Sequence, residues 1–207
     1  MMAICSDFCD GVILAGGQSR RMGQCKALLP LEGETILARI AKEMQMFPQC
    51  WLSANDPALS EAFPGKTVSD IFLHCGPLAG LHAVFTVTDK PYLFCVPCDM
   101  PFFCGELAKE MLDTFPNDVH ALVCVDATGV VHPLCGIYSR TALPEITKHL
   151  KNKEFRVMTL LETLRCAYFR ADTRFPQRTF WNINTREAYH RLSGEGGPHA
   201  GRLRTDN

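Results

Sequence analysis

The stretch GVILAGGQSRRMGQCK, residues 11–26, decides the fold. Residues 11–15 form a short apolar run without polar alternation, as expected of a strand in a parallel sheet covered by helices. Glycines at 16, 17 and 23 follow at once, and they let the backbone turn tightly and bring its N–H groups close to an anion. Arg20, Arg21 and Lys26 add positive charge to the same small region. Strand, glycine turn and clustered cations together imply a bound polyphosphate.

Outward from this stretch, apolar runs of about five residues alternate with amphipathic segments of helical period, the pattern of a mostly parallel sheet between helices. Strands are expected at 11–15, 50–54, 67–68, 92–96, 121–125 and 135–138. Helices are expected at 35–46, 79–87, 105–115, 140–150, 157–164 and 185–192. Residues 126–133, DATGVVHP, read as a hairpin with a polar rim near the substrate end of the sheet. Residues 1–193 are expected to form a single domain, and the Gly-rich polar stretch 194–207 a mobile tail.

With 21 basic and 22 acidic residues in 207, the formal net charge of −1 supplies no global field toward nucleic acid or a membrane. No apolar run reaches the roughly 18 residues of a membrane span, and the N-terminal MMAICSDFCDG lacks the basic and long apolar regions of a leader. A cytoplasmic protein is expected. The eleven cysteines are odd in number and scattered through apolar strands, which suits reduced core thiols better than a disulfide framework. Cys95 and Cys98 form a CxxC, but neither a second CxxC nor a spaced His pair completes a four-ligand zinc set.

In an open parallel sheet, ligands sit beyond the carboxyl ends of the strands. Three loops qualify: the glycine loop, HCGPLAG at 74–80 following Asp70, and CVPCDMP at 95–101 after the most apolar strand. Asp99 at that strand end, facing a basic glycine loop, is the expected Mg²⁺ ligand, because Mg²⁺ takes one or two carboxylates and completes its shell with phosphate oxygens and water. A P-loop does not fit: five residues separate Gly17 from Gly23, and Gln24 follows. The dinucleotide fingerprint GxGxxG is absent too.

The ordered set LAGGQSRRMG, Lys26, GPLAG, PCDMP, the HP at 132–133, RVM at 156–158 and NINT at 182–185 resembles the molybdenum cofactor guanylyltransferases over about residues 10–192. That resemblance implies a Rossmann-like three-layer α/β/α nucleotidyltransferase fold with a mostly parallel central sheet. It implies transfer of GMP from GTP to the phosphate of molybdopterin or Mo-molybdopterin, with release of pyrophosphate. By the same resemblance, Leu14, Ala15, Gly16 and Gly17 would lie against the nucleotide and Lys26 would contact its phosphates. Ser53 would sit in the nucleotide region, Asp70 would face the guanosine, and Gly76, Pro77 and Leu78 would line its pocket. Asp99 would hold Mg²⁺, Arg21 and Lys26 would offset transition-state charge, and Arg156, Asn182 and Asn184 would approach the pterin. Other cofactor-biosynthesis proteins and acceptor molybdoenzymes are the implied partners.

The chain departs from the family pattern at two places. Cys25 stands where an Asp generally precedes the motif lysine, and Ser53 where an asparagine usually contacts the nucleotide. Two other readings stand beside the first. Cytidylyltransferases acting on the same pterin usually carry LAAG, so Gly16 favours the larger guanine; a catalytically weak GTP-binding or cofactor-delivery module would explain Cys25. Arg20 suits solvent as well as phosphate, and Arg156 a surface salt bridge as well as a pterin phosphate. His132 suits a structural hydrogen bond better than acid/base work, and Trp51 and Trp181 read as core or pocket wall.

Overall fold

The computed structural model describes residues 6–16, 25–171, 174–183 and 185–193. Among these, seven strands make one sheet: β1 (Cys9–Leu14), β4 (Cys50–Ser53), β5 (Lys66–Val68), β6 (Tyr92–Pro97), β7 (Ala121–Val125), β8 (Val131–Ser139) and β9 (Cys166–Arg170). Their order is β5-β4-β1-β6-β8-β7-β9, and all run parallel except β8. A two-strand hairpin, β2 (Pro30–Leu31) with β3 (Glu34–Thr35), lies outside the sheet.

Every residue of β1 and β7 is buried, which explains why these strands read as unbroken apolar runs: both faces are covered. One core, on the face of α1 (Ile36–Glu43) and α4 (Gly105–Asp113), contains Ile13, Ile40, Phe94 and Met111. The other, beneath α3 (Pro77–Val87), α5 (Leu143–Lys151) and α6 (Val157–Thr163), contains Val12, Leu81, Leu93, Ile146 and Leu160. α7 (Arg186–Ser193) sends Tyr189 into the first core. Helix on sheet on helix is the expected three-layer arrangement.

Local chemistry sets several of these boundaries. Thr35 accepts from the Ala38 amide at 3.1 Å and caps α1. Asp56 caps α2 (Pro57–Ala62), with Pro57 in the first turn. α3 is buried at eight positions, and its Gly80 packs so closely on β1 and β4 that a Cβ there would collide with Ser53 Oγ and come within 2.9 Å of Leu14 Cδ2.

The structure differs from the sequence expectation in several elements. The expected 135–138 strand is the longer antiparallel β8, joined to β7 through the Asp126–Val130 turn. β9 lies outside the expected strands, because the five-residue CAYFR is a half-exposed edge strand too short to show a periodicity and defined by pairing with β7. α2 was also missed; six residues give too little periodicity to read. The 140–150 helix opens with a 3₁₀ turn, Arg140–Ala142, before α5. The expected tail at 194–207 lies outside the described residues.

Gly80→Ala is therefore expected to destabilise the protein by about 1–3 kcal/mol, as overpacking does, and to lower Tm by several degrees in thermal denaturation. An unchanged Tm would mean that α3 can withdraw from β1 and β4 without loss.

Candidate active site

The parallel strands β1, β4, β6 and β7 deliver their carboxyl ends to one edge of the sheet. There β1 is stitched to both neighbours: the Ala15 amide donates to Ser53 O at 2.9 Å, and the Cys98 amide donates to Leu14 O at 3.0 Å. The chain then enters the glycine loop, where Gly17, Arg20, Arg21 and Gly23 lie outside the described residues, and re-emerges at Cys25 and Lys26.

Asp70 follows β5 and is buried. Its Oδ1 accepts from Ser53 Oγ at 3.1 Å and its Oδ2 from Asn55 Nδ2 at 2.8 Å, while its amide donates to Asn55 Oδ1 at 2.9 Å. Ser53 is itself fully buried, its hydroxyl committed to Asp70 under the Gly80 face of α3. The shorter serine therefore fits a place where the longer asparagine side chain would meet the helix, and here it supports Asp70. Gly16 approaches the same carboxylate, since a Cβ built on it would lie 3.5 Å from Asp70 Oδ2.

Gly76 adopts φ +70°, a left-handed conformation suited to glycine, and turns the chain into Pro77 and the N-terminal end of α3. Gly76 and Pro77 are half-buried at this edge. Leu78 is fully buried within the α3-side core, so its side chain serves packing. Leu14 is likewise a core side chain, and it meets the edge only through its carbonyl.

Lys26 and Asp99 face one another electrostatically across the end of β6. Burial pushes the Asp99 carboxyl up, and the neighbouring Lys26 ammonium opposes that only in part. The two are also joined by the main chain of Ile183. Its carbonyl accepts from Lys26 Nζ at 3.0 Å, and its amide donates to Asp99 O at 2.9 Å. Cys25 caps the 3₁₀ turn Lys26–Leu28 through its carbonyl alone, with no side-chain cap, and the Ile183 carbonyl supplies an orienting contact for Lys26. Nothing in the sequence singled out Ile183, because a main-chain role leaves no side-chain signature.

The remaining candidates fall around this edge. Asn182 is exposed beside Ile183 and donates to Phe180 O at 3.3 Å; Asn184 lies outside the described residues. Arg156 is an exposed cap residue at the start of α6, on the opposite face of the sheet from Phe180 and Ile183, and among the described residues no ion pair involves it. His132 Nε2 lies 3.0 Å from Asp126 Oδ2, the structural hydrogen bond expected for it. Trp51 is a core residue donating to Asp10 Oδ2 at 3.0 Å, whereas Trp181 is 47% exposed and stands edge-on to Phe102, outside the core.

The CxxC does not make a thiol pair. Cys95 enters the α3-side core and Cys98 packs against the opposite one, and burial pushes both thiols up to about 12. Among the described residues no group of three or more His, Cys, Asp or Glu is arranged to hold a metal ion. Among them, too, no helix is long and apolar enough to cross a membrane.

A buried carboxylate whose folded pKa is raised above its unfolded value weakens the fold when it is ionised, and that cost is relieved as pH falls through the folded pKa. Asp99→Asn is therefore expected to leave Tm at or above wild type at neutral pH, by up to about 3 °C, while lowering activity. A fall of several degrees would show that attraction to Lys26 outweighs the burial of Asp99.

Residues 11–167 match the family model of the MobA-like NTP transferase domain. The molybdenum cofactor guanylyltransferase of Desulfosudis oleivorans is 30% identical over 203 residues, covering 95% of this chain and 99% of that protein. A probable molybdenum cofactor guanylyltransferase of a Geobacillus species is 29% identical over 182 residues, covering 84% of this chain and 93% of its own. Among solved structures, molybdopterin-guanine dinucleotide biosynthesis protein A from Archaeoglobus fulgidus superposes with a TM-score of 0.78 at 22% identity, over 90% of this chain and 97% of that one. With residues 11–167 matching that model and a relative 30% identical over nearly its whole length, the chain belongs to the MobA-like NTP transferase family.

Proposed function

We propose that the protein transfers GMP from GTP to the phosphate of molybdopterin or Mo-molybdopterin, forming the guanine dinucleotide and releasing pyrophosphate. The observation that carries this reading is the electrostatic pairing of Lys26 with the half-buried Asp99 just beyond β6, the two joined through Ile183, in a chain whose relatives bear the guanylyltransferase name.

The acceptor is a phosphate monoester whose second pKa near 6 leaves it largely dianionic at neutral pH, so attack requires no general base. An acceptor oxygen forms a bond to the α-phosphorus as the bond from that phosphorus to the bridging oxygen of the β-phosphate breaks, and pyrophosphate departs with the electron pair. The commitment of His132 to Asp126 is consistent with a reaction that needs no imidazole base. In this proposal the main chain around Gly16 and Gly76 and the Asp70 carboxylate receive the guanosine. Lys26, together with Arg21, offsets charge on the phosphates, and Asn182, Asn184 and Arg156 approach the pterin.

Asp99 fits Mg²⁺ as a single hard oxygen ligand that leaves coordination positions for phosphate oxygens and water. Bound there, Mg²⁺ would supply further charge compensation to the leaving pyrophosphate. The same proposal takes residues 1–193 as one domain working in the cytoplasm, with other cofactor-biosynthesis proteins and acceptor molybdoenzymes as partners.

Pyrophosphate release by purified protein with Mg²⁺ tests this, comparing GTP with CTP, with and without the pterin. GTP-selective, pterin-dependent release is expected, and Asp99→Ala should reduce it by at least about 10²–10³-fold. CTP selectivity would move the protein to the cytidylyl reaction, and GTP binding without turnover would make it a delivery module. Gly16→Ala adds a methyl at ordinary contact distance from Asp70, so it is expected to fold normally while lowering kcat/KM for GTP about tenfold, read from steady-state rates. An unchanged GTP/CTP ratio would remove Gly16 from base selection.

A further inference from the structure

Ile183 bridges Lys26 and Asp99, but the segment leading to it is held from outside that site. Residues Gln177–Phe180 form a 3₁₀ turn followed by Trp181 and Asn182. At its start, Gln177 Nε2 donates to Asp126 Oδ2 at 3.0 Å. The same oxygen meets His132 Nε2 at 3.0 Å, and the His132 ring stacks on Phe180 with centroids 4.9 Å apart. The other oxygen, Oδ1, accepts from Thr128 N at 2.8 Å, Thr128 Oγ1 at 2.6 Å and Val130 N at 3.1 Å.

The carboxylate is thus divided between two tasks. The bonds to Thr128 and Val130 close the β7–β8 turn, and they need only Oδ1. Oδ2 faces away from the turn's own backbone and engages the C-terminal segment and the histidine that packs on it. Asp126 is buried. Burial alone would push its carboxyl up, but the hydrogen bonds from Thr128, His132, Gln177 and Val130 outweigh this and hold it well below the usual carboxylate range. It is therefore a fixed anionic anchor.

A second hold lies at the far end of the segment. Trp181 meets Phe102 edge-on at 6.4 Å, and the Arg178 guanidinium lies 5.9 Å from the centre of the same ring. Phe102 belongs to the loop that carries Asp99. Residues 177–183 are consequently a strap pinned at one end to the β7–β8 turn and at the other to the Asp99 loop, with Ile183 at its end.

We propose that Asp126, acting through Gln177 and His132, is a positioning residue for nucleotidyl transfer: it holds residues 177–183 so that the Ile183 main chain keeps Lys26 and Asp99 in register. The inference rests on the guanylyltransferase reading for its kinetic part only. A displacement of about 1 Å at a reacting group lowers a rate by up to about 10²-fold without weakening substrate binding in proportion.

Asp126→Ala would remove every one of these bonds and open the turn, so the exposed Gln177 provides the cleaner test. In the full-length Gln177→Ala variant, amide hydrogen exchange at Ile183 is expected to rise about tenfold, with Tm within about one degree of wild type. The kcat for pterin-dependent pyrophosphate release from GTP should fall about tenfold with KM for GTP unchanged, and Gln177→Glu, which sets a second carboxylate against Asp126, should lose more. Unchanged exchange at Ile183 overturns the proposal. So does an unchanged kcat in a wild-type protein that turns over. If the wild-type protein releases no pyrophosphate with either nucleotide, the functional reading fails, and the exchange measurement alone then decides whether Asp126 holds the strap.

Discussion

β1 is an interior strand of the sheet, with β4 hydrogen-bonded on one side and β6 on the other, and both of its faces are sealed by helices. A strand in that position has no freedom to shift, because a slip of one residue would exchange the side chains committed to the two cores. Its carboxyl end is therefore a fixed point from which the glycine loop departs. The Leu14 carbonyl and the Ala15 amide tie that point to Cys98 and Ser53. Every element of the site is registered against it.

Two halves of the site are built by different means. On the β4–β5 side, polar side chains lock together: Ser53 and Asn55 hold Asp70, and Gly80 lets α3 close over them. On the β6 side, the backbone does the assembly, with Ile183 joining Lys26 to Asp99. Buried hydrogen-bonded carboxylates recur in both, as Asp70 and Asp126, and neither is left unsatisfied. Asp99 is the contrast, a half-buried carboxyl that desolvation pushes up, an effect the Lys26 ammonium offsets only in part.

The cysteines take the core role that their scatter through apolar strands leads one to expect. Eleven in 207 residues, with a CxxC among them, invite a redox or metal reading. In the fold, residues three apart near the end of a strand fall on opposite faces of the sheet, and Cys95 and Cys98 serve different cores. Cys124 and Cys135 are likewise buried in the first core. Buried in this way, these thiols act as small apolar groups.

The sequence by itself determined the three-layer fold. An unbroken apolar run, a glycine turn and an aspartate at a later strand end are local signals, and each follows from burial periodicity or backbone freedom. Lys26 and Asp99 stand out as candidates from such signals, and Asp70 from the family resemblance. The antiparallel sense of β8, the edge strand β9 and the short α2 were not, because pairing partners and packing define them more than their own periodicity does. Tertiary structure alone decided that Ser53 supports Asp70, that Leu78 belongs to the core, and that Ile183, Gln177 and Asp126 hold the site together. Those roles depend on contacts between residues as much as 157 positions apart, some through side chains and, at Ile183, through the main chain, and no residue pattern along the chain encodes such a contact.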